Sequence, residues 1–262
     1  MRPRTAATLA AAITLTLVGC GSSSSGSVPS ASRAGSTSVS GTITVFAAAS
    51  LKESFTSLGR QFESAHPGTK VAFSFGPSSG LARQITQGAP ADVFASASPA
   101  TMRQVTDAGA ASAPTTFATN VMEIAVPAAN PAKVAGLADL ARPGVTVALC
   151  QASVPCGATA TKVLAKARLK VTPVTQEVDV KAVLSKVTLG EVDAGVVYVT
   201  DVRSAGHTVR GIPVPEDVNA STSYPIATLR RSENRATAEA FTAFVLSPAG
   251  TTALTTAGFT RP

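Results

Sequence analysis

Short apolar runs that read as strands alternate with helix-spaced segments along most of this chain, and no other feature narrows the fold so far. Strands are predicted at 42–47, 70–75, 92–95, 121–126, 146–150, 194–199, 212–214 and 224–229. Helices are predicted at 51–66, 80–87, 99–108, 134–140, 157–167, 180–189, 237–246 and 248–257. The first of them carries Leu51, Phe55, Leu58 and Phe62 at the three- and four-residue spacing of a buried stripe. Alternation of this kind implies an α/β fold with mixed, mostly parallel sheets, because parallel neighbours need a crossover helix between them. The runs at 120–126 and 224–229 flank a complete middle set of strands and helices. The chain is therefore expected to cross into a second lobe on the first run and to return on the second.

The N-terminal residues stand apart from this pattern. Arg2 and Arg4 precede an apolar stretch at 6–18, too short for a membrane span, which reads as a secretory leader. It ends in Leu17-Val18-Gly19-Cys20, which resembles a bacterial lipobox and implies removal of residues 1–19 and lipidation (palmitate) of Cys20. Residues 20–41, mostly Ser, Gly and Ala, read as a flexible linker. The expected location is extracytoplasmic, with lipid as the only membrane anchor. The remainder divides into a first lobe at 42–122 and 226–262 and a second at 123–225. Loss of Arg2 and Arg4 with the leader lowers the formal charge from +7 to +5, and the basic residues are scattered, so no nucleic-acid partner is expected.

With Cys20 lipidated, Cys150 and Cys156 remain in an oxidising compartment. A disulfide across the turn at 151–155 is open to them and would stiffen that turn. Their spacing is not Cys-x-x-Cys, and neither His66 nor His207 is near in sequence. No run of the chain has metal-ligand spacing, a phosphate-binding Walker loop or a dinucleotide fingerprint, so no metal and no other cofactor is expected.

Chemistry is expected where strands run into helices. Val45-Phe46-Ala47-Ala48-Ala49-Ser50 and Phe73-Ser74-Phe75-Gly76-Pro77-Ser78 each end on a serine at a helix start. Unpaired backbone N–H groups and the positive end of the macrodipole collect there, and a hydroxyl adds a donor. Two such turns facing each other would hold an anion without any charged side chain. Ser50 with Glu53 also fits a capping box, a role compatible with anion binding. Gly76-Pro77-Ser78-Ser79-Gly80 matches Gly-x-Ser-x-Gly, the turn of a serine hydrolase, with Ser78 as nucleophile and Asp193 or Asp201 and then His207 following in order. Against that reading, only two strands precede the turn, no oxyanion-loop motif is present, and His207 lies in an expected exposed turn. Gly157, in Val154-Pro155-Cys156-Gly157, would let a ligand approach the backbone of a third helix start, and Asp179 would cap a fourth. Tyr198 reads as a packed ring with a wet hydroxyl at a strand end, and Asp201, Asp193, Glu191 and Glu177 as solvated residues or caps.

Taken in order, the turn ending in Ser50-Leu51, the segment 78–85, the run 88–94, Val154-Pro155-Cys156-Gly157, Asp179-Val180-Lys181, Gly195-Val196-Val197-Tyr198 and Ala257-Gly258-Phe259 closely resemble the periplasmic molybdate-binding proteins of ABC importers. The resemblance covers nearly all of 42–262. It implies a two-lobed periplasmic-binding-protein fold of type II with the ligand in the cleft between lobes. It also implies a monomer that captures molybdate or tungstate, passes it to a membrane permease and catalyses nothing. The family's ligand groups fall on Ser50 and Ser78 through hydroxyl and backbone N–H, on Cys156 and Val180 through backbone N–H, and on Tyr198 through its hydroxyl. Pro77 stands where the family often has Ser, and Cys156 where Ala is common. Molybdate is a dianion at neutral pH and only accepts hydrogen bonds, so neutral donors suit it, and the lack of an acceptor carboxylate disfavours hydrogen phosphate. A receptor for sulfate or another oxyanion is the alternative within this class.

Overall fold

The computed structural model describes residues 39–262. The leader, Cys20 and most of the linker lie outside the described residues. Among these residues nine strands form one mixed sheet in the order β2-β1-β3-β9-β4-β7-β5-β6, with β8 also on β4. The strands are β1 (Gly41–Ala48), β2 (Thr69–Gly76), β3 (Val93–Ala95), β4 (Thr115–Pro127), β5 (Val147–Cys150), β6 (Thr175–Glu177), β7 (Ala194–Tyr198), β8 (Val209–Pro213) and β9 (Ser221–Thr228). The helices are α1 (Lys52–Ala65), α2 (Ser78–Thr86), α3 (Pro99–Asp107), α4 (Pro155–Lys166), α5 (Val180–Thr188), α6 (Val199–Ala205), α7 (Arg235–Leu246) and α8 (Pro248–Ala257). Strand β1 begins at Gly41, inside the segment read as linker.

One long strand makes this sheet into two lobes. The first half of β4 pairs with β9, from Thr115↔Ile226 to Val121↔Ser221. Its second half pairs with β7 (Met122↔Tyr198) and β8 (Pro127↔Val209). All pairings of β4 and β9 are antiparallel, whereas β2-β1-β3 and β6-β5-β7 are parallel. The first lobe therefore holds β1–β3, the start of β4, β9, α1–α3, α7 and α8. The second holds the end of β4, β5–β8 and α4–α6.

Each lobe closes on its own core. The first is aromatic: Phe55 lies against Phe73, Phe117 and Phe241, and Phe62 against Phe241 and Phe244, at centroid distances of 5.4–6.3 Å. The second is aliphatic, built from Val and Leu of α4 and α5 against Ile124, Val147 and Val196. Gly195 belongs to that packing, since a Cβ there would lie 2.7 Å from Val183 Cγ1.

The structure differs from the predicted elements in four places. The segment at 134–140 is a 3-10 turn, Leu137–Ala141. The strand read at 121–126 starts at Thr115, because Thr115-Thr116-Phe117-Ala118-Thr119 pairs with β9 although its apolar alternation is weak. Helix α6 and strand β6 are new. Seven and three residues are too few for a helical or strand period to register.

Candidate functional site

Parallel pairing sets the two serines side by side. Ala48 at the end of β1 is in register with Gly76 at the end of β2, and each serine follows its strand by two residues. Ser50 therefore sits in the 3-10 turn Ala49–Leu51 and Ser78 at the first position of α2. The second lobe repeats this arrangement. Cys150 and Glu177 are in register at the ends of β5 and β6, and α4 and α5 start just beyond them. Both sets of helix starts thus open at C-terminal strand ends, where open α/β sheets bind ligands.

The two edges meet around one small cavity. Its wall includes Ser50, Gly76, Ser78, Ala97, Val154, Cys156, Asp179, Val180 and Tyr198. All five residues to which the resemblance assigns ligand groups are therefore brought to a single space. The room for the centre of a water-sized sphere is about 20 Å³. A single water needs about 10–15 Å³ of such room, so the shut space is little larger than one water and too small for a bulky organic molecule.

Donor roles follow from how each wall residue is held. Ser78 is buried, and its Oγ accepts from the backbone N–H of Ala97 at 3.0 Å. Its own proton is thereby left to point away from Ala97. Pro77 precedes it as N-cap, and with no side-chain cap the first N–H groups of α2 have no partner within the helix. Ser50 Oγ lies 2.9 Å from Tyr224 Oη, deep in the fold. Ser50 does not cap α1, which has no side-chain cap, and Glu53 turns instead to Lys181. The capping-box expectation fails because the chain makes a 3-10 turn first, which moves Ser50 out of the N-cap position.

Across the cleft, α4 begins with Pro155, whose missing N–H is one a helix start leaves unpaired anyway. Cys156 follows and is bonded to Cys150, S–S 2.04 Å, so the end of β5 and the start of α4 are covalently joined. Gly157 is required by the turn itself. A Cβ there would lie 1.9 Å from the carbonyl oxygen of Gln151 and 2.7 Å from that of Cys150. Asp179 caps α5, its Oδ1 accepting from Ala182 N–H at 3.0 Å. A carboxylate residue therefore does border the cavity, contrary to expectation, with its charge committed to the helix start.

Tyr198 is the most unusual member. It is 1% exposed, and its hydroxyl has no hydrogen-bond partner of good geometry among the described residues. The expected wet hydroxyl is thus a dry one. Burial pushes the phenol well above its ordinary range, with the Thr159 and Tyr224 hydroxyls as partial relief, so it stays protonated. The chain's two tyrosines lie together here, ring centroids 6.2 Å apart and planes at 69°. Beneath Tyr198, its backbone N–H donates to Asp201 Oδ2 at 3.1 Å. Asp201 is completely buried, not solvated, and burial lifts its carboxyl to about 6 despite the nearby Lys181.

Tyr224, Asn120 and the buried state of Asp201 were not legible as site features. Asn120 Nδ2 donates to Thr200 Oγ1 at 2.8 Å, and the carboxamide also relieves the Tyr224 hydroxyl. These residues come from β4, β9 and α6, which sequence separates widely and the sheet brings together. Ser78 has no base: no histidine lines the cavity, and His207 is exposed in the turn after α6. No group of three or more His, Cys, Asp or Glu that could hold a metal ion occurs among the described residues. No helix among them is long and apolar enough to cross a membrane.

A family model described as bacterial extracellular solute-binding protein matches residues 43–260. The molybdate-binding protein ModA of Mycobacterium tuberculosis is 46% identical over 247 residues, covering 94% of this chain and 93% of the relative. ModA of Escherichia coli is 32% identical over 234 residues, covering 84% and 89%. The periplasmic molybdate-binding protein of Azotobacter vinelandii superposes with a TM-score of 0.75 at 21% identity, over 84% of this chain and 99% of that one, a likeness of fold. The fold is that of the two-lobed binding proteins, and this chain belongs to the bacterial extracellular solute-binding proteins, among their ModA-type members.

Proposed function

We propose that this chain captures molybdate, and tungstate with it, outside the cytoplasm and hands it to the permease of an ABC importer. The observation that carries the reading is the Tyr198 hydroxyl: protonated, buried, without a partner of good geometry, and in the same small cavity as Ser50 and Ser78. A buried donor left unsatisfied costs roughly 1–3 kcal/mol, which a bound oxyanion would return. Ser50 and Ser78 would donate through their hydroxyls and through N–H groups, Cys156 and Val180 through N–H, and Tyr198 through its hydroxyl. Charge-assisted hydrogen bonds contribute about 1.5–3 kcal/mol each, so donors converging from five residues support sub-micromolar affinity. The 46% identity to a molybdate-binding ModA supports the same ligand.

In this reading the oxyanion is cargo, the chain needs no resident cofactor, and no reaction is catalysed. Ser78 is a donor that never reacts, since its Oγ is engaged by Ala97 N–H and faces no histidine. The mature chain is a monomer tethered through lipid on Cys20, and the permease reads the closed form. Molybdenum retention tests the reading. The chain is mixed with molybdate and a hundredfold excess of sulfate and phosphate, desalted and analysed by mass spectrometry. One molybdenum per chain is expected, and none after the same treatment of Ser78→Ala. An empty wild-type chain would overturn the reading.

A further inference from the structure

Among the described residues, one ion pair crosses the cleft. Glu53 stands in the first turn of α1, on the first lobe, and Lys181 in the first turn of α5, on the second. Lys181 Nζ lies 2.8 Å from Glu53 Oε2. The same ammonium lies 3.1 Å from Asp201 Oδ1 and donates to Ser204 Oγ at 3.0 Å. The ammonium thus has three neighbours, a hydrogen-bonded Ser204 and two carboxylates held by charge. Two of them, Asp201 and Ser204, are on α6 and move with Lys181. Only Glu53 belongs to the other lobe, so parting the lobes breaks that contact and leaves the other two intact.

Lys181 is also well placed to report on the cavity. It follows Val180, and Asp201 links it to the backbone of Tyr198, so two of the proposed ligand residues share its supports. Its side chain is 20% exposed and that of Glu53 49%. The pair is therefore part-screened by solvent, and its effect belongs to the several-fold range of half-exposed ion pairs.

We infer that Glu53 and Lys181 form a closure latch, an interlobe ion pair that exists only in the shut form and sets how long the bound oxyanion is held. The inference rests on the reading of this cavity as an oxyanion site. A contact present only in the closed state slows opening, and hence dissociation. It adds nothing to encounter with the open form. A charge that merely lines the entrance would do the reverse and change association. Ionic strength separates the latch from a packing role, because a pair at this exposure is screened by salt.

Stopped-flow measurement of molybdate dissociation from the full chain tests it. Glu53 is half-exposed on a helix, so Glu53→Gln and Glu53→Lys should fold as the wild type does. Glu53→Gln is expected to speed dissociation about three- to tenfold, and Glu53→Lys, which sets two ammonium groups against each other, by more than tenfold. The ratio of Glu53→Gln to wild type should shrink towards one in 1 M salt. Equal dissociation rates, a change confined to association, or a ratio indifferent to salt would each overturn the latch. If the wild-type chain fails to bind molybdate, the oxyanion reading fails first, and X-ray scattering of the free chain then decides the latch. A larger radius of gyration for Glu53→Lys than for wild type supports it, and identical profiles overturn it.

Discussion

The two walls of the cleft are made differently. On the first lobe, both serine hydroxyls are already engaged, Ser50 with Tyr224 and Ser78 with Ala97 N–H. Tyr224 is itself fixed by rings, with Phe117 at 6.2 Å and Phe259 at 5.2 Å. That wall is complete before any ligand arrives. On the second lobe the core is aliphatic, and the hydroxyl it contributes, Tyr198, has no partner of good geometry among the described residues. All ten phenylalanines belong to the first lobe. The difference teaches a division of labour: one wall is a preformed donor platform, the other carries a need that closing on an oxyanion satisfies.

Mutations should separate these walls by the sign of their effects. The largest expected effect is on the platform. Ser78→Ala removes a donor to the dianion and is expected to weaken molybdate binding about ten- to a hundredfold by calorimetry, from a charge-assisted bond of about 1.5–3 kcal/mol. Next comes a paired test. Ser50→Ala strips the Tyr224 hydroxyl of its Ser50 partner in a buried setting, so both affinity and ligand-free stability should fall, stability by about 1–3 kcal/mol. Tyr198→Phe removes a hydroxyl that lacks a good partner, so affinity should fall, by less than in Ser78→Ala, while ligand-free Tm rises. Equal signs in the two variants, read by thermal melts without ligand, would erase the contrast between walls.

Reduction of Cys150–Cys156 is a smaller perturbation. The bond closes a short loop, and opening it should cost about 2 kcal/mol of stability by chain entropy. It should also loosen the start of α4 and weaken binding a few-fold. Thermal melts and calorimetry with and without reductant check both effects.

Asp201 gives the smallest effect. Its folded-state carboxyl is raised from 3.8 to about 6, chiefly by burial. A raised value means its stabilising share is fully present below the unfolded value and is lost as pH rises through about 6. Lowering pH from 7 to 5 should therefore relieve a penalty in the wild type that Asp201→Asn does not carry. The Tm difference between the two proteins should change across that window, and an unchanged difference would show that burial does not raise the Asp201 carboxyl in the folded protein.

Much of the platform was legible because it is local. A strand end, two residues and a serine suffice to place Ser50 and Ser78, and parallel register does the rest. The resemblance to molybdate-binding proteins added Cys156, Val180 and Tyr198, which spacing alone left as a turn, a helix start and a packed ring. What stayed hidden is non-local. Tyr224 reaches Ser50 across 174 residues and Asn120 reaches Thr200 across 80, and no motif announces either. Asp201 looked like an ordinary cap, and its burial follows from α6, a helix too short to predict. The tight packing of Gly157 stayed hidden too, because the carbonyls it meets belong to its own loop, a close approach that only the folded turn reveals.

Calorimetric titration of molybdate into the wild-type chain and Tyr198→Phe, with sulfate present as competitor, tests the central claim most directly. The account predicts one site of sub-micromolar affinity in the wild type, little shifted by sulfate, and a clear loss of affinity in Tyr198→Phe. Absence of heat with molybdate, or the same affinity in both proteins, would contradict it.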